Sequence, residues 1–151
     1  MIQLGWREWV ALPTLGVSRL RAKIDTGART SALHVDAQWR FDEGGAQWVG
    51  FRLTLGRTTT HVIEAHAPIF DEREVVDSGG HRNRRVFLRT RLALAGQDRE
   101  IELNLCQRHG LRFPLLLGRT AIEGLFTVDP SRSYLHGRPP ALAATRTDSP
   151  A

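Results

Sequence analysis

Apolar and polar residues alternate along most of this chain with the period of two that is typical of β-strands. The clearest case runs from Trp48 to Leu55, where Val49, Phe51 and Leu53 share one face with Leu55. Shorter alternating or β-branched runs occur at 9–12, 19–25, 58–63, 74–76, 86–88, 91–94 and 101–105. The pattern predicts an all-β fold, a mostly antiparallel barrel.

Turn-forming residues divide these runs into hairpins. The cluster at 77–83 contains Asp, Ser, Asn and two glycines, and it predicts a long hairpin between its flanking runs. Residues 95–98 predict a second hairpin in the same way. One short helix is expected at 120–124, because Thr120 and Glu123 have the spacing of a capping box and Gly124 can end a helix.

Length and composition are those of one domain. With 151 residues the chain can form one core, which we assign to 1–137; the Pro-, Ala-, Thr- and Arg-rich segment 138–151 is expected to be a disordered tail. The sequence has no apolar run of 18 residues, no signal-peptide pattern and a single cysteine, Cys106. These features predict a cytoplasmic protein that makes no membrane contact.

The charge of the chain is positive and is carried almost entirely by arginine. The formal net charge is +5, and Lys23 is the only lysine among 21 basic residues. Such a balance favours anionic partners. Nucleic acid is an unlikely partner, because the aromatic residues are not interleaved with the arginines as a base-stacking surface requires.

The tripeptide Asp25-Thr26-Gly27 ends one of the predicted strands and is the main candidate for chemistry. A strand holds such an acid rigidly, and glycine lets backbone come close to it. A second apolar run, at 113–117, ends in Gly118-Arg119. An acid at one strand end and a distant Gly-Arg at another form a two-part pattern.

These two segments resemble the retropepsins, aspartic peptidases that act as homodimers. The stretches 5–10, 22–34 and 113–122 are more closely similar to a bacterial family of retropepsin-like endopeptidases, long labelled ATP-dependent zinc proteases. Members are often associated with an ATP-grasp ligase that adds glutamates to the tail of a ribosomal protein. The resemblance implies a retropepsin-like closed barrel with a flap hairpin and one short C-terminal helix, an aspartic endopeptidase activity and no cofactor.

The resemblance also implies roles for individual residues. The expected catalytic group is Asp25, Thr26 and Gly27, and the expected structural support is Leu117, Gly118 and Arg119. The hairpin at 72–89 would be a flap that closes over the substrate. The residues expected to bind substrate are Ala28, Arg29, Ser78, Gly79, Gly80, Arg82 and Arg84.

A single Asp-Thr-Gly in a chain of this length implies a homodimer. Aspartic peptidases need two carboxylates within about 3 Å that share one proton, so that one acts as general base and the other as acid. One chain supplies only Asp25, and the second carboxylate would be the same residue across a two-fold axis.

The chain departs from the retroviral pattern at Arg29, where an acid would pair the later arginine. Arg119 therefore needs another carboxylate, with Glu123 or Asp129 as candidates. Arg29, together with arginines on the flap, would suit a substrate rich in glutamate, such as a glutamate-extended ribosomal protein. The alternative is that Arg29 forms a structural ion pair and the flap arginines face solvent.

Other chemistries have weaker support. There is no His-Glu-x-x-His motif and no phosphate loop, and His61 and His66 would lie on opposite faces of a strand, so we expect no catalytic metal site; a structural metal stays open. Cys106 has His109 three residues away but is expected to be an inert thiol. A different class of function keeps the fold without catalysis: a dimeric module that binds an acidic peptide or a ribosomal partner.

Overall fold

Residues 1–77, 79–107 and 112–139 are described by the computed structural model, and they are mainly β-structure. The strands are β1 (Ile2–Gly5), β2 (Arg7–Leu12), β3 (Val17–Asp25), β4 (Ser31–His34), β5 (Ala37–Glu43), β6 (Ala46–Leu55), β7 (His61–Pro68), β8 (Asp71–Val76), β9 (Arg82–Leu94), β10 (Gln97–Cys106), β11 (Leu115–Gly118) and β12 (Phe126–Asp129). A one-turn helix, α1 (Arg119–Ile122), follows β11, and a 3-10 turn (Pro13–Leu15) follows β2. The all-β expectation is confirmed.

The main sheet curls into a partly closed ring. Its strand order is β10-β4-β11-β3-β2-β9-β8, and β9 also pairs with β10, so the order returns to its starting strand. The contact between β2 and β9 is a single register pair, Ala11 with Ala93, which leaves the ring only partly closed. Closing a sheet in this way pairs most strand edges without a second sheet.

The core combines apolar residues of the main sheet with those of a second sheet. A three-stranded antiparallel sheet, β5-β6-β7, places the alternating residues of β6 inward, and Val49, Phe51 and Leu53 are at most 1% exposed. They pack with apolar residues of β3, β9, β10 and β11 in one cluster. The face predicted for β6 is therefore buried. The strand expected at 58–63 instead begins at residue 61 and continues to residue 68.

Both predicted hairpins are present. In the first, β8 pairs with β9 from Asp71 opposite Phe87 to Val76 opposite Arg82, so a long two-stranded arm extends from the ring. In the second, Leu94 is opposite Gln97 and a two-residue turn joins β9 to β10. The first arm is the flap hairpin, defined here as residues 71–87.

The strand order around β11 fixes the position of the Asp25 segment. The chain leaves β3 at Asp25, passes through a loop at 26–30 and returns as β4, while β11 lies between these two strands. β11 is parallel to β3, with Gly118 opposite Asp25, and antiparallel to β4. A segment far along the sequence therefore lies directly beneath the loop.

The short helix is present, but its predicted capping box is wrong. α1 begins at Arg119, and Gly118 is its N-cap without a side-chain capping bond. Thr120 lies inside the helix and its hydroxyl donates to the Arg29 carbonyl oxygen at 2.7 Å. Because a tertiary acceptor engages the hydroxyl, Thr120 does not cap the helix; Gly124, with a φ of 83°, follows it.

A buried carboxylate attaches the segment after β12 to the first strands. Glu8 is fully buried, and its Oε2 accepts hydrogen bonds from the Gly5 N–H at 2.7 Å and the Leu135 N–H at 3.1 Å. The Tyr134 N–H donates to the Arg7 carbonyl oxygen at 2.9 Å. Residues 130–139 therefore run along β1 and β2 as a strap.

The first two residues of the predicted tail contact the domain. The Arg138 guanidinium lies 5.0 Å from the Trp9 ring, and the Pro139 carbonyl oxygen accepts from Arg19 Nε at 2.7 Å. Residues 140–151 lie outside the described part of the chain, so the assignment of a disordered tail stays a prediction. Across the described ranges, no helix has the length and apolarity needed to cross a bilayer.

Candidate active site

The end of β3 presents Asp25 at the edge of the core. Leu20, Ala22 and Ile24 face inward and are buried, while Asp25, the last residue of the strand, is half-buried. Gly118 of β11 lies opposite Asp25 in the parallel register. The strand thus holds the backbone of Asp25 in the sheet while its carboxylate reaches solvent.

The loop after Asp25 orients one carboxylate oxygen and leaves the other accessible. The Gly27 N–H donates to Asp25 Oδ1 at 3.2 Å, and the Ala28 N–H donates to the Asp25 carbonyl oxygen at 3.2 Å. Thr26 and Gly27 are exposed. Asp25 Oδ2 makes no hydrogen bond to any residue that the structure describes, which leaves it available to water or to another chain.

Helix α1 holds the loop from below through its backbone. The Arg119 N–H donates to the Ala28 carbonyl oxygen at 2.8 Å, and the Thr120 N–H and hydroxyl both donate to the Arg29 carbonyl oxygen. The first N–H groups of a helix have no partner within the helix, so loop carbonyls can accept from them. The predicted supporting segment is therefore in direct contact with the Asp25 loop.

Arg119 does not pair with either predicted carboxylate. Its NH1 donates instead to the Gly27 carbonyl oxygen at 3.5 Å, and the Asp129 carboxylate accepts from Ser131. Within the described ranges no salt bridge joins Arg119 to Glu123 or Asp129, so that expectation is wrong. The guanidinium is exposed and lies against the loop backbone, where a neutral acceptor replaces the carboxylate.

Gly118 is a close-contact position beneath the loop. A Cβ atom there would lie 2.5 Å from the Thr30 carbonyl oxygen and 2.9 Å from the Arg29 carbonyl carbon. Both neighbours are backbone atoms, so no side-chain rotation can make room. The Gly118 N–H also donates to Ser31 Oγ at 3.1 Å.

A buried polar chain connects the flap hairpin to the first residue of β4, directly after the loop, and sequence reasoning missed it. Arg85 of β9 is only 8% exposed; its NH1 donates to Asn104 Oδ1 at 3.0 Å. Asn104 Nδ2 donates in turn to the Ser31 carbonyl oxygen at 2.9 Å. The available signal was the isolated Asn104 between Leu103 and Leu105 in a buried strand, since buried polar groups need partners.

Substitution of Asn104 by alanine tests that chain. We expect a loss of about 2 kcal/mol in the free energy of unfolding, because the Arg85 guanidinium and the Ser31 carbonyl each lose a buried partner. Urea denaturation followed by tryptophan fluorescence measures it. Asn83 also accepts from Arg85, at 2.7 Å, but is exposed. Asn83→Ala is therefore the matched control. Equal losses of unfolding free energy in both variants would show that the buried hydrogen bonds of Asn104 stabilise the fold no more than the exposed bond of Asn83.

The tip of the flap hairpin is organised by Asp77. Asp77 Oδ1 accepts from the backbone N–H groups of His81 and Gly79, each at 2.9 Å. The bond from His81 is the main reason that the pKa of the Asp77 carboxyl lies below its ordinary value. Gly79 and Gly80 are exposed at this tip, and Ser78, also expected to bind substrate, lies outside the described residues.

The arginines of the flap divide into two kinds. Arg82 pairs with Glu74 and Arg84 with Glu72, both at 3.3 Å across the hairpin, and both arginine side chains are well exposed. Each therefore has a carboxylate partner in the hairpin, and Arg84 shares Glu72 with Arg40, whose NH2 lies 2.6 Å from the same oxygen. Arg29 is exposed and forms no salt bridge in the described part of the chain, so the structural ion pair considered for it is not found there.

The described residues among those weighed for other chemistries do not converge. Cys106 is buried at the end of β10, and His109 lies outside the described residues. His66 lies 5.6 Å from the Trp48 ring on the outer face of β6 and β7. Among the side chains that the structure describes, no three His, Cys, Asp or Glu residues are arranged to hold a metal ion.

Comparison with known proteins identifies longer relatives that share one name. Proteins named probable alpha-L-glutamate ligase are 33% identical over 135 residues in Shewanella pealeana and 34% identical over 137 residues in Parasynechococcus marenigrum. The matches cover 89% and 90% of this chain. They cover 30% and 29% of the relatives, so the chain spans less than a third of the length of the curated proteins it matches.

A solved structure and a family model complete the comparison. The crystal structure of a Legionella pneumophila protein with unknown function (DUF785) has a TM-score of 0.73 and 25% identity, covering 89% of this chain and 98% of the other. A family model described as the retropepsin-like aspartic endopeptidase RimB matches residues 3–139. The strand order, the Asp25 loop and this match agree, and the chain belongs to the RimB-like family of retropepsin-like aspartic endopeptidases.

Proposed function

We propose that two copies of this chain form an aspartic endopeptidase with one Asp25 from each. The observation that carries the proposal is the state of Asp25: one carboxylate oxygen is oriented by the Gly27 N–H, and the other makes no hydrogen bond to a described residue. An ordinary turn aspartate does not need a helix and a distant strand to hold its loop. This loop has both.

The reaction needs the second carboxylate to complete a proton circuit. One Asp25 accepts a proton from water, whose oxygen attacks the carbonyl carbon of the peptide bond, while the other Asp25 protonates the carbonyl oxygen. The ionised Asp25 then takes a proton from one hydroxyl of the tetrahedral diol, the protonated Asp25 donates its proton to the nitrogen, and the carbon–nitrogen bond breaks. The exposed Thr26 is proposed to hydrogen-bond across the axis and join the two loops.

The dimer is proposed to form at the sheet made by the first and last strands. β1 and β12 form a separate parallel sheet of only two strands, from Ile2 opposite Phe126 to Gly5 opposite Asp129. The β1 edge is occupied, since the Gly5 N–H donates to Glu8 and the Gln3 carbonyl oxygen lies 2.7 Å from His136 Nε2. The other edge, on β12, pairs with no further strand in the described part of the chain and can accept a strand from a second copy. A two-fold axis at this sheet would produce the isologous contact that the dyad requires.

We propose glutamate-rich peptides as the substrate class. Related proteins named as glutamate ligases carry a segment similar to this chain within one polypeptide, which supports a peptidase that acts on what a ligase makes. Arg29 and Arg119 are exposed at the loop and have no carboxylate partner within the described ranges. Guanidinium groups bind carboxylates with two parallel hydrogen bonds.

The test compares two peptides that share a neutral body and end in six glutamates or six glutamines. Mass spectrometry of a time course is expected to give a kcat/KM about tenfold or more higher for the glutamate peptide, since a binding site of unpaired guanidiniums discriminates by charge. Equal rates for the two peptides would support the peptidase activity but refute the preference for acidic substrates.

A second candidate function is a dimeric module that binds the acidic tail, or a ribosomal partner, without cutting it. The names of the relatives favour this binding function, because they describe a ligase and mention no peptidase. The segment similar to this chain is less than a third of their length. Tight binding of the glutamate peptide with no cleavage at any pH would select this function.

A further inference from the structure

A large cavity lies at the opposite end of β3 from Asp25. Its volume is about 1040 Å³, and its walls come from β2, β3, the end of β4, the segment after β6 and the strap. Asp25 is not part of it. Six arginines line this cavity, namely Arg7, Arg19, Arg21, Arg57, Arg112 and Arg138.

The cavity arginines have no carboxylate partner among the described residues. Several other arginines of the chain do have one, as in Arg40 with Glu72 at 2.6 Å and Arg91 with Asp98 at 2.8 Å. Over the described ranges no salt bridge involves any of the six. The single acid in the wall, Asp36, accepts instead from the Thr54 hydroxyl at 2.7 Å.

The hydrogen bonds that the cavity arginines do make go to neutral oxygens. Arg19 Nε donates to the Pro139 carbonyl, as described above, and Arg21 NH2 donates to the Arg112 carbonyl at 3.1 Å. These bonds hold the guanidiniums in place but leave their charge unbalanced. Concave surfaces of one sign concentrate the field, so the cavity attracts anions.

A line of basic residues joins the cavity to Asp25. Arg19, Arg21, Lys23 and Asp25 occupy alternate positions of β3, so their side chains share the face away from the buried Leu20. Six residues of strand span about 20 Å. An extended peptide of about six residues would therefore reach from Asp25 to the cavity.

We propose that this cavity is a second binding site, which takes the carboxylates of an acidic peptide whose other end lies at Asp25. The continuity with Asp25 rests on the proposed function; the affinity of the cavity for acidic peptides does not. Its guanidiniums would hold side-chain carboxylates of a glutamate tail at a distance from the cleaved bond, so that long tails bind more tightly than short ones.

The surroundings favour a peptide over a nucleic acid. Single-stranded nucleic acids bind through bases stacked on aromatic rings. Here the rings at the cavity are already covered by guanidiniums of the same chain, with Arg7 4.9 Å from Tyr134 and Arg138 5.0 Å from Trp9. What the cavity offers a ligand is guanidinium edges, which suit carboxylates.

Binding is measured with a fluorescein-labelled peptide of ten glutamates, by anisotropy, in the Asp25→Asn protein so that cleavage cannot interfere. The triple variant Arg19→Gln, Arg57→Gln and Arg112→Gln is expected to raise Kd about 30-fold. The matched control, Arg40→Gln, Arg52→Gln and Arg91→Gln, removes the same charge from ion pairs outside the cavity. It is expected to change Kd by no more than about twofold.

Two results would overturn the inference. Equal weakening by both triple variants would mean that net charge alone attracts the peptide. Tighter binding of a ten-nucleotide oligouridylate, lost in the cavity variant, would make the cavity a nucleic-acid site. Arg57→Glu is a single variant that should not disturb the fold, because Arg57 is exposed and makes no hydrogen bond to a described residue. It is expected to weaken peptide binding as well.

Cleavage kinetics separate this inference from the proposed function. For tails longer than about six residues the cavity triple variant should raise KM with kcat unchanged, and for shorter peptides it should change neither. If the peptide binds in a cavity-dependent way but is never cleaved, the cavity site is supported and the proposed peptidase is refuted. If the peptide is cleaved and the cavity variant leaves KM unchanged at every tail length, the peptidase is supported and the cavity site is refuted.

Discussion

Replacing Asp25 by asparagine is expected to reduce peptide cleavage by about 10³-fold or more while the fold is retained. Asparagine has nearly the same shape, and its Oδ1 can still accept from the Gly27 N–H, which donates to Asp25 at 3.2 Å in the native loop. What it loses is the ability to take and return a proton, on which general acid–base catalysis depends. Mass spectrometry of glutamate-extended peptides measures the rate, and thermal unfolding checks the fold.

The same variant tests the dimer. Adding a threefold excess of Asp25→Asn protein to wild type should lower activity to about a quarter, because random exchange into isologous dimers leaves few with two native aspartates. Asp98→Asn is the control, since Asp98 pairs with Arg91 at 2.8 Å and belongs to neither the loop nor the cavity wall. Cleavage by purified Asp25→Asn protein at the wild-type rate would refute Asp25 as the catalytic group.

Gly118→Ala is expected to cause the largest loss of stability, about 3 kcal/mol or more, together with loss of activity. The new Cβ would lie 2.5 Å from the Thr30 carbonyl oxygen, and the clash can be relieved only by moving backbone beneath the Asp25 loop. Urea unfolding measures the stability change, and peptide cleavage measures the displacement of the loop.

A second glycine in the same region is the control. At Gly27 a Cβ would meet only Asp25 Oδ1, at 3.4 Å, which is an ordinary contact. Gly27→Ala should therefore leave the midpoint of unfolding nearly unchanged. If the two alanine variants are equally stable, β11 does not support the loop as closely as the distances indicate.

The sequence was sufficient where local pattern decides structure. Alternation placed the inward face of β6, and turn residues placed both hairpins, because side-chain direction and turn conformation depend on near neighbours. The Asp25 loop was identified through its resemblance to a family, and its geometry agrees with the roles assigned to Gly27 and Gly118 at the level of contacts. Their catalytic and supporting roles stay predictions.

The sequence was insufficient where partners are distant. Nothing near Thr120 indicates that its hydroxyl turns to the Arg29 carbonyl, and the capping box was a reasonable local alternative. The arginines are the clearest case. Identical in type, they become ion-paired on the flap, as Arg84 with Glu72, or buried, as Arg85, or unpaired around the cavity, as Arg57, and only the tertiary structure determines which.

The insertion of β11 between β3 and β4 has a consequence for folding order. The bonds that hold the Asp25 loop join residues 87 to 92 positions apart, from Gly118, Arg119 and Thr120 back to the loop. Contacts this remote are made late, after the entropy of closing a long loop has been overcome. On the ribosome, the Asp25 segment emerges before β11 and stays without these supports until β11 follows, so under the proposed function a nascent chain has no assembled catalytic loop.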